Sequence, residues 1–316
     1  MVKYILKRLL QAIPTFLVIT FAVFMLSNAA PGSPVDIIKS AGDLTPEAEQ
    51  QMREYYGLDQ PVLVRYAKWL GGLARGDMGI STRTNQPVWR LIKDRIGPTL
   101  TLTLTSPVAS LLIAIPLGIM AALKPYSIWD TASSILAFFG ASTPNFFVAL
   151  ICLYFFSVKL GVLPAMGMYS GNGGGLGDLA LHLVLPVAVT VLRMSGSYIK
   201  QTRGAMLDVM NEEYVKTARA KGLGEGSVVI RHILRNALIP IVSCVGLNIP
   251  YLVGGSTVTE QIFGWPGMGS LLILSISQRD YNTIMGITVL IAAAVLLATL
   301  VVDILYAYLD PKIRFD

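Results

Sequence analysis

Five stretches of this chain run without a single Asp, Glu, Lys or Arg: Leu9 to Ala30, Ile96 to Leu123, Thr131 to Val158, Asn236 to Thr259 and Tyr281 to Val302. Each reaches the roughly 20 residues that a helix needs to cross the hydrocarbon core of a bilayer. Inside lipid every backbone polar group must find its partner within the segment, so such runs fold as helices. A sixth stretch, Leu179 to Ile199, has the same length but contains Arg193. That residue lies about two turns from the Lys200 end, where a long side chain can snorkel to the interface. The expectation is an all-α integral membrane protein of about six transmembrane helices. Composition agrees, with 53% hydrophobic and 14% charged residues and a mean hydropathy of +0.61. Lys3, Lys7 and Arg8 ahead of the first run resemble a signal peptide, but the run is too long for an h-region, so it reads as a retained span.

Charge sets the topology. The formal charge of +6 is spread through interhelical segments without an aromatic-basic surface, which speaks against nucleic acid and for a positive-inside arrangement. Lys3, Lys7 and Arg8 place the N-terminus in the cytoplasm, and six crossings return Lys312 and Arg314 to the same side. The loop from Lys200 to Arg235, carrying Lys200, Arg203, Lys216, Arg219, Lys221, Arg231 and Arg235, is then cytoplasmic, while Lys159 and Arg279 stand in short external loops. Three divisions follow: residues 1–30, a cytoplasmic N-terminus and first span; 31–95, an external segment; and 96–316, a five-helix membrane domain with the loop 200–236.

The external segment reads as folded. Thr45-Pro46-Glu47 supplies an N-cap, a proline at the first helical position and an early acid, with helix formers up to Tyr56-Gly57. A second helix is expected from Pro61 to Leu73, with Val62, Tyr66, Trp69 and Leu73 on one apolar face. It serves either as a cap packed on the membrane helices or as a docking surface for an external partner. Pro14, Pro107, Pro116, Pro144, Pro186 and Pro250 fall inside the spans, where each removes a backbone donor and permits a kink. Cys152 and Cys244 sit in apolar runs as small core residues, and His182 and His232 are isolated, so neither a disulfide framework nor a metal site is indicated.

The most informative stretch is Asn211 to Pro240, NEEYVKTARAKGLGEGSVVIRHILRNALIP. Asn211 can cap a helix, Glu212 and Glu213 suit its positive end, Lys216, Arg219 and Lys221 crowd its negative end, and Gly222 supplies the left-handed C′ position. The result is a helix of about ten residues and ~15 Å, able to lie on the membrane surface and enter a groove on another protein. Ser227 offers a second helix start leading into the fifth span.

This loop resembles the EAA loop of bacterial ABC importer permeases, in the version of the dipeptide/oligopeptide (peptide/nickel) family, first-permease (B-type) subunit. The resemblance covers nearly the whole chain: beside EEYVKTARAKG and RNALIP stand APGSP after the first span, YGLDQP, GDMGIS, EQIFGWPGMG, RDY at Arg279 to Tyr281, and DILYAYLDPKIR at the C-terminus. The chain departs from the general pattern where Lys216-Thr217-Ala218 replaces Glu-Ala-Ala, and where Leu234-Arg235 replaces a later Leu-Pro.

The resemblance implies a multi-pass protein of the bacterial cytoplasmic (inner) membrane, embedded in lipid. It would work beside a second homologous permease subunit, above two cytoplasmic ABC ATPase subunits that use ATP and Mg, and with a periplasmic or extracellular substrate-binding protein delivering peptide. Glu213, Tyr214, Lys216, Thr217, Ala218, Arg219, Ala220, Lys221 and Gly222 would belong to the ATPase-coupling helix. Phe263, Gly264, Trp265, Pro266 and Gly267 suit either an external gate or interfacial anchoring, since the aromatic rings favour the interface and the small residues allow a tight turn. No cofactor or metal is expected on this chain itself, and no catalytic residue. It lacks a G-x-x-x-x-G-K-[ST] loop, H-E-x-x-H, G-x-S-x-G and paired intramembrane aspartates. A self-contained secondary transporter is disfavoured, because no acid falls at mid-span. Nickel chelates or glutathione remain alternative cargo within the family.

Overall fold

The structure is a computed structural model. It describes residues 2–29, 35, 36, 39, 42, 45–55, 57–171, 174–238, 240–242, 244–246 and 257–309. The APGSP segment, Pro250, half of the expected fifth span, Lys312 and Arg314 lie outside the described residues. The described residues are helical, without a strand beyond the isolated bridge Ile80–Pro87. Contacts divide the chain into two units, Met1–Gly97 with Gly267–Leu297, and Pro98–Pro266 with Ala298–Asp316.

Four helices are long and apolar enough to cross a membrane: Leu6–Ala29, Val88–Leu123, Leu176–Met210 and Tyr281–Ile304. Two bent pairs, Ile128–Ser142 with Asn145–Lys159 and Glu225–Leu238 with Pro240–Gly246, raise the number to six if each is one span.

In the first unit, α1 (Val2–Ala29) passes through Pro14 unbroken. Helix α2 (Pro46–Tyr55) starts as its cap residues dictate, with the Ala48 amide donating to Thr45 Oγ1 at 3.3 Å. Helix α3 (Val62–Leu73) lays its expected apolar face on α1: Tyr66 shares a 3.0 Å hydrogen bond with Thr20 Oγ1, and its ring meets those of Phe21 and Phe24 edge-on at 5.2 and 5.4 Å. The start of α4 (Val88–Leu123) packs Val88 and Ile92 against Met268 and Leu271 of α11 (Met268–Ser277) and Ile287 of α12 (Tyr281–Leu309). Gly286 permits this approach, for a Cβ there would stand 2.6 Å from Val88 Cγ1.

Two of the sequence motifs meet in this unit. Asp280 of RDY is 3% exposed and accepts from the Ser81 hydroxyl of GDMGIS, the Thr82 amide at 3.1 Å and the Thr283 hydroxyl at 2.7 Å, capping α12 while holding the loop. Asn282 Nδ2 adds a 2.7 Å bond to the Ile80 carbonyl. Asp280→Ala leaves these buried donors unmet and is expected to cost about 2–4 kcal/mol. A thermal unfolding scan should show the midpoint lowered by about 5 °C or more, with Asp280→Asn intermediate; an unchanged midpoint would contradict the bonding.

In the second unit, α5 (Ile128–Ser142) and α6 (Asn145–Cys152), which continues as a π-helical stretch from Leu153 to Lys159, meet at 104°. The expected third span is therefore broken rather than straight. Pro144 is the N-cap of α6, and having no amide hydrogen it cannot continue the ladder of α5. Pro107, Pro116 and Pro186, by contrast, sit inside unbroken helices. Helix α7 (Leu176–Met210) continues unbroken through Arg193, which stands at its midpoint. Helices α5 and α7 touch through glycine: a Cβ on Gly140 would stand 2.2 Å from the Leu192 carbonyl oxygen, and one on Gly196 2.7 Å from that of Ala137.

Candidate functional site

The loop singled out from sequence folds into one compact element. Helix α8 (Glu213–Ala220) is followed by α9 (Glu225–Ser227), which continues as a π-helical stretch from Val228 to Leu234. Only two α8 side chains point inward, Val215 and Ala218, spaced one turn apart. They pack on Ala205 and Met206 of α7, on Val228, Val229 and Ile233, and on Ala122 of α4. Such a contact makes α8 an extension of the membrane helices rather than a free strap.

The other face is open. Glu213, Tyr214, Lys216, Thr217, Arg219, Ala220, Lys221 and Gly222 are exposed, so of the expected coupling-helix residues Ala218 alone is turned into the core. Beyond the turn, Leu223 and Ile230 are 42% and 65% exposed and add apolar surface. The Lys216–Glu213 ion pair, 2.7 Å long, is solvated on both sides and contributes little.

The termini of α8 follow chemistry, with one correction at each start. Gly222 takes φ +77° after Lys221, and its amide donates to the Arg219 carbonyl at 2.9 Å, as the C′ reading requires. Asn211, however, ends α7 instead of opening α8: its Nδ2 donates to the Leu207 carbonyl, and Glu212 is the N-cap of α8. Likewise Gly224 opens the second helix, and Ser227 lies three residues inside it. Runs of helix formers on both sides of Asn211 hid the chain reversal.

Side-chain bonds hold the loop in shape. Asn236 of RNALIP donates from Nδ2 to the Tyr214 hydroxyl at 2.9 Å, joining the two halves of the motif. Arg219 forks onto Glu225 across the turn, with Nη2–Oε1 at 2.7 Å and Nε–Oε2 at 3.2 Å. Hydrogen bonding from Arg219 lowers the Glu225 carboxyl below its ordinary value. The stabilisation is accordingly present above the ordinary glutamate value and is lost as pH falls through the lowered one. At pH 7, Glu225→Gln should speed amide exchange across residues 219–227 by roughly threefold, consistent with a weak surface pair; unaltered exchange would contradict a holding role.

A second clamp was not legible from sequence. Asp130, in the first turn of α5, receives Arg203 of α7 through Nε–Oδ1 at 2.8 Å and Nη2–Oδ2 at 2.9 Å, and the Tyr126 amide at 3.0 Å. This bidentate pair fixes the α4–α5 connection to the α7 stem from which α8 departs.

The EQIFGWPGMG segment is also built differently from an interfacial anchor. Phe263 and Trp265 are 2% and 0% exposed. Phe263 packs on Ala149, Leu185 and Val189, while Trp265 Nε1 donates to the Pro98 carbonyl at 2.8 Å. Gly264 takes φ +55°, and the Gly167 amide reaches the Phe263 carbonyl at 2.8 Å. Glu260, in the first turn of α10 (Thr257–Ile262) and fully buried, accepts from Thr99 Oγ1 at 3.0 Å. Burial of the rings in protein, not lipid, explains their conjunction with small residues. Pro266 and Gly267 follow, Gly267 as the N-cap of α11.

Comparison with known proteins converges on one class. Residues 114–315 match the family model described as binding-protein-dependent transport system inner membrane component, and residues 1–103 match its N-terminal counterpart. The chain is 42% identical to the oligopeptide transport system permease protein AppB of Bacillus subtilis (strain 168), covering all of both chains. It is 35% identical to the dipeptide transport system permease protein DppB of Escherichia coli (strain K12), covering 99% of each. With the glutathione transport system permease protein GsiC of Salmonella paratyphi A (strain ATCC 9150 / SARB42) it shares 39% over both full lengths. Among solved structures, the MetNI methionine ABC transporter in an inward-facing conformation aligns at TM-score 0.55 and 19% identity, covering 70% of this chain and 96% of that one, a likeness of fold.

Proposed function

Because this chain belongs to the family of binding-protein-dependent transport system inner membrane components, we propose that it is the first-permease (B-type) subunit of an ATP-driven importer, forming half of a path for di- or oligopeptides. Peptide cargo is supported by the full-length relatives that carry oligopeptide and dipeptide transport in their names. Glutathione, itself a peptide, is the alternative the third relative suggests, and nickel chelates the remaining one.

The observation that carries the reading is the two-faced α8. Its inner face, Val215 and Ala218, is fastened to α7 and α9, whereas its outer face presents Tyr214, Lys216, Thr217 and Lys221 to whatever lies beyond. A helix so mounted transmits a push on its outer face to the membrane helices behind it. In this reading the outer face seats in a groove of a cytoplasmic ATPase, the loop side and both termini are cytoplasmic, and the membrane is the bacterial inner one. ATP and Mg bind to the two ATPase subunits, a second permease completes the path, and a substrate-binding protein loads it from outside. The buried Phe263–Gly267 turn serves as an external gate element that moves with α10.

Purification under mild detergent tests the assembly: a similar second permease and two ATPases should be recovered with this chain. Recovery of this chain alone, from cells that express the whole operon-encoded set, would contradict it.

A further inference from the structure

Where α5 ends and α6 begins, a cleft of about 450 Å³ opens against α7. Thr143 and Asn145 line it from the break, and Arg193, Ser197 and Tyr198 from α7. Arg193 was expected to snorkel toward Lys200, but two facts of geometry oppose that. It lies roughly 10 Å along the axis from Lys200, at 1.5 Å per residue, and helical side chains leave the axis tilted toward the N-terminus, here away from Lys200. Arg193, which is exposed, lines the cleft beside the broken helix. Among the described residues it makes no hydrogen bond or ion pair, with Asp303 or any other acid.

Other polar residues line the same cleft. Tyr198 is 1% exposed, and its hydroxyl has no partner among the described residues. Ser197, which touches Cys244 Sγ at 3.8 Å, is open to the cleft. The N-terminus of α6 ends here, bringing the positive end of a helix toward an arginine. Two positive features and a buried donor, with no acid among the described residues paired to the arginine, make a poor resting arrangement and a good receptor for an anion.

We propose that Arg193, with Tyr198, Ser197 and the start of α6, forms a station within the translocation path that holds the C-terminal carboxylate of a peptide in transit. This rests on the peptide-importer reading above. A carboxylate matches the planar fork of the guanidinium and leaves a lone pair for the tyrosine hydroxyl.

The test uses the complete importer in proteoliposomes, in two measurements. In the first, a labelled tripeptide with a free C-terminus is delivered by the binding protein. Arg193→Gln should lower uptake at least about tenfold, as loss of a charge-assisted pair implies, while ATPase activity stimulated by the loaded binding protein stays within about twofold; Arg193→Lys, which keeps the charge, should retain about a third of uptake. Uptake by Arg193→Gln within twofold of the parent, or equal loss in both variants together with lost ATPase activity, overturns the proposal. In the second, Ser197→Cys is placed in a background carrying Cys152→Ala and Cys244→Ala and labelled without nucleotide. A sulfonate-bearing methanethiosulfonate should react at least about fivefold faster than a trimethylammonium one, as a positive field requires, and Arg193→Gln should bring the ratio to near one. Equal rates in the parent overturn the anion site itself. An anion preference in a parent complex that takes up no peptide retains the electrostatics but overturns the carboxylate assignment and the cargo reading together.

Discussion

Gly222→Val is expected to abolish most ATP-coupled uptake while leaving the importer assembled and inserted. Gly222 sits at φ +77°, a conformation that a β-branched residue adopts only with strain. Nothing stands within 4 Å of a Cβ built there, so the effect is one of backbone conformation and not of collision. The penalty, about 1–2 kcal/mol, falls on the turn that orients α8 against α9. Relief comes from moving the last turn of α8, where Lys221 donates to the Thr217 carbonyl at 3.1 Å and Arg219 grips Glu225. On the proposed function, the outer face would then meet an ATPase misaligned. Uptake should fall at least about tenfold, with basal ATP hydrolysis within about twofold and Gly222→Asn retaining half or more, since asparagine tolerates the left-handed region. Undiminished uptake in Gly222→Val would remove α8 from the coupling path.

The second large effect concerns the membrane core. Gly140→Val should prevent recovery of folded protein, because its Cβ would lie 2.2 Å from the Leu192 carbonyl oxygen, a backbone atom that cannot rotate away. Gly196 has the same relation to Ala137, at 2.7 Å. Helix association in lipid depends on such close backbone approach, there being little hydrophobic drive between helices. Overpacking of this kind costs about 3 kcal/mol or more, a large part of the net stability of a domain. Size-exclusion profiles of detergent extracts should show aggregate or no protein for Gly140→Val, and a reduced native peak for Gly140→Ala. A native peak of parental height for the valine variant would contradict the contact.

What was legible in the sequence was whatever local chemistry decides. Lipid solvation prescribes the spans, and Thr45, Pro46 and Gly222 announce helix ends because each satisfies or removes a particular backbone group. Legibility failed where distant residues decide. Hydropathy treats Thr131 to Val158 as one span and Arg193 as an interruption, yet the first is bent by 104° and the second lies in an unbroken helix. Absence of charge reports the solvent, while the shape of a span follows from how Pro144 and its neighbours pack. The Asp280–Ser81 and Asp130–Arg203 bonds join residues far apart in sequence, and no spacing rule connects them. Their signal was present only as polar residues at the edge of apolar runs. Phe263 and Trp265 misled for a related reason: aromatic rings beside glycine and proline suit a membrane interface and a buried turn equally, and distant partners distinguish them, the Pro98 carbonyl for Trp265 and Ala149, Leu185 and Val189 for Phe263.

On the proposed function this chain supplies half of a path and receives its energy through α8. Reconstitution tests it most directly: ATP-dependent accumulation of labelled peptide in liposomes holding the two permeases and two ATPases, with the binding protein present, against liposomes holding this chain alone. The account predicts accumulation in the first, its loss on omission of ATP or of the ATPases, and none in the second. Peptide accumulation by the chain alone, or accumulation by the full set without ATP, would contradict it.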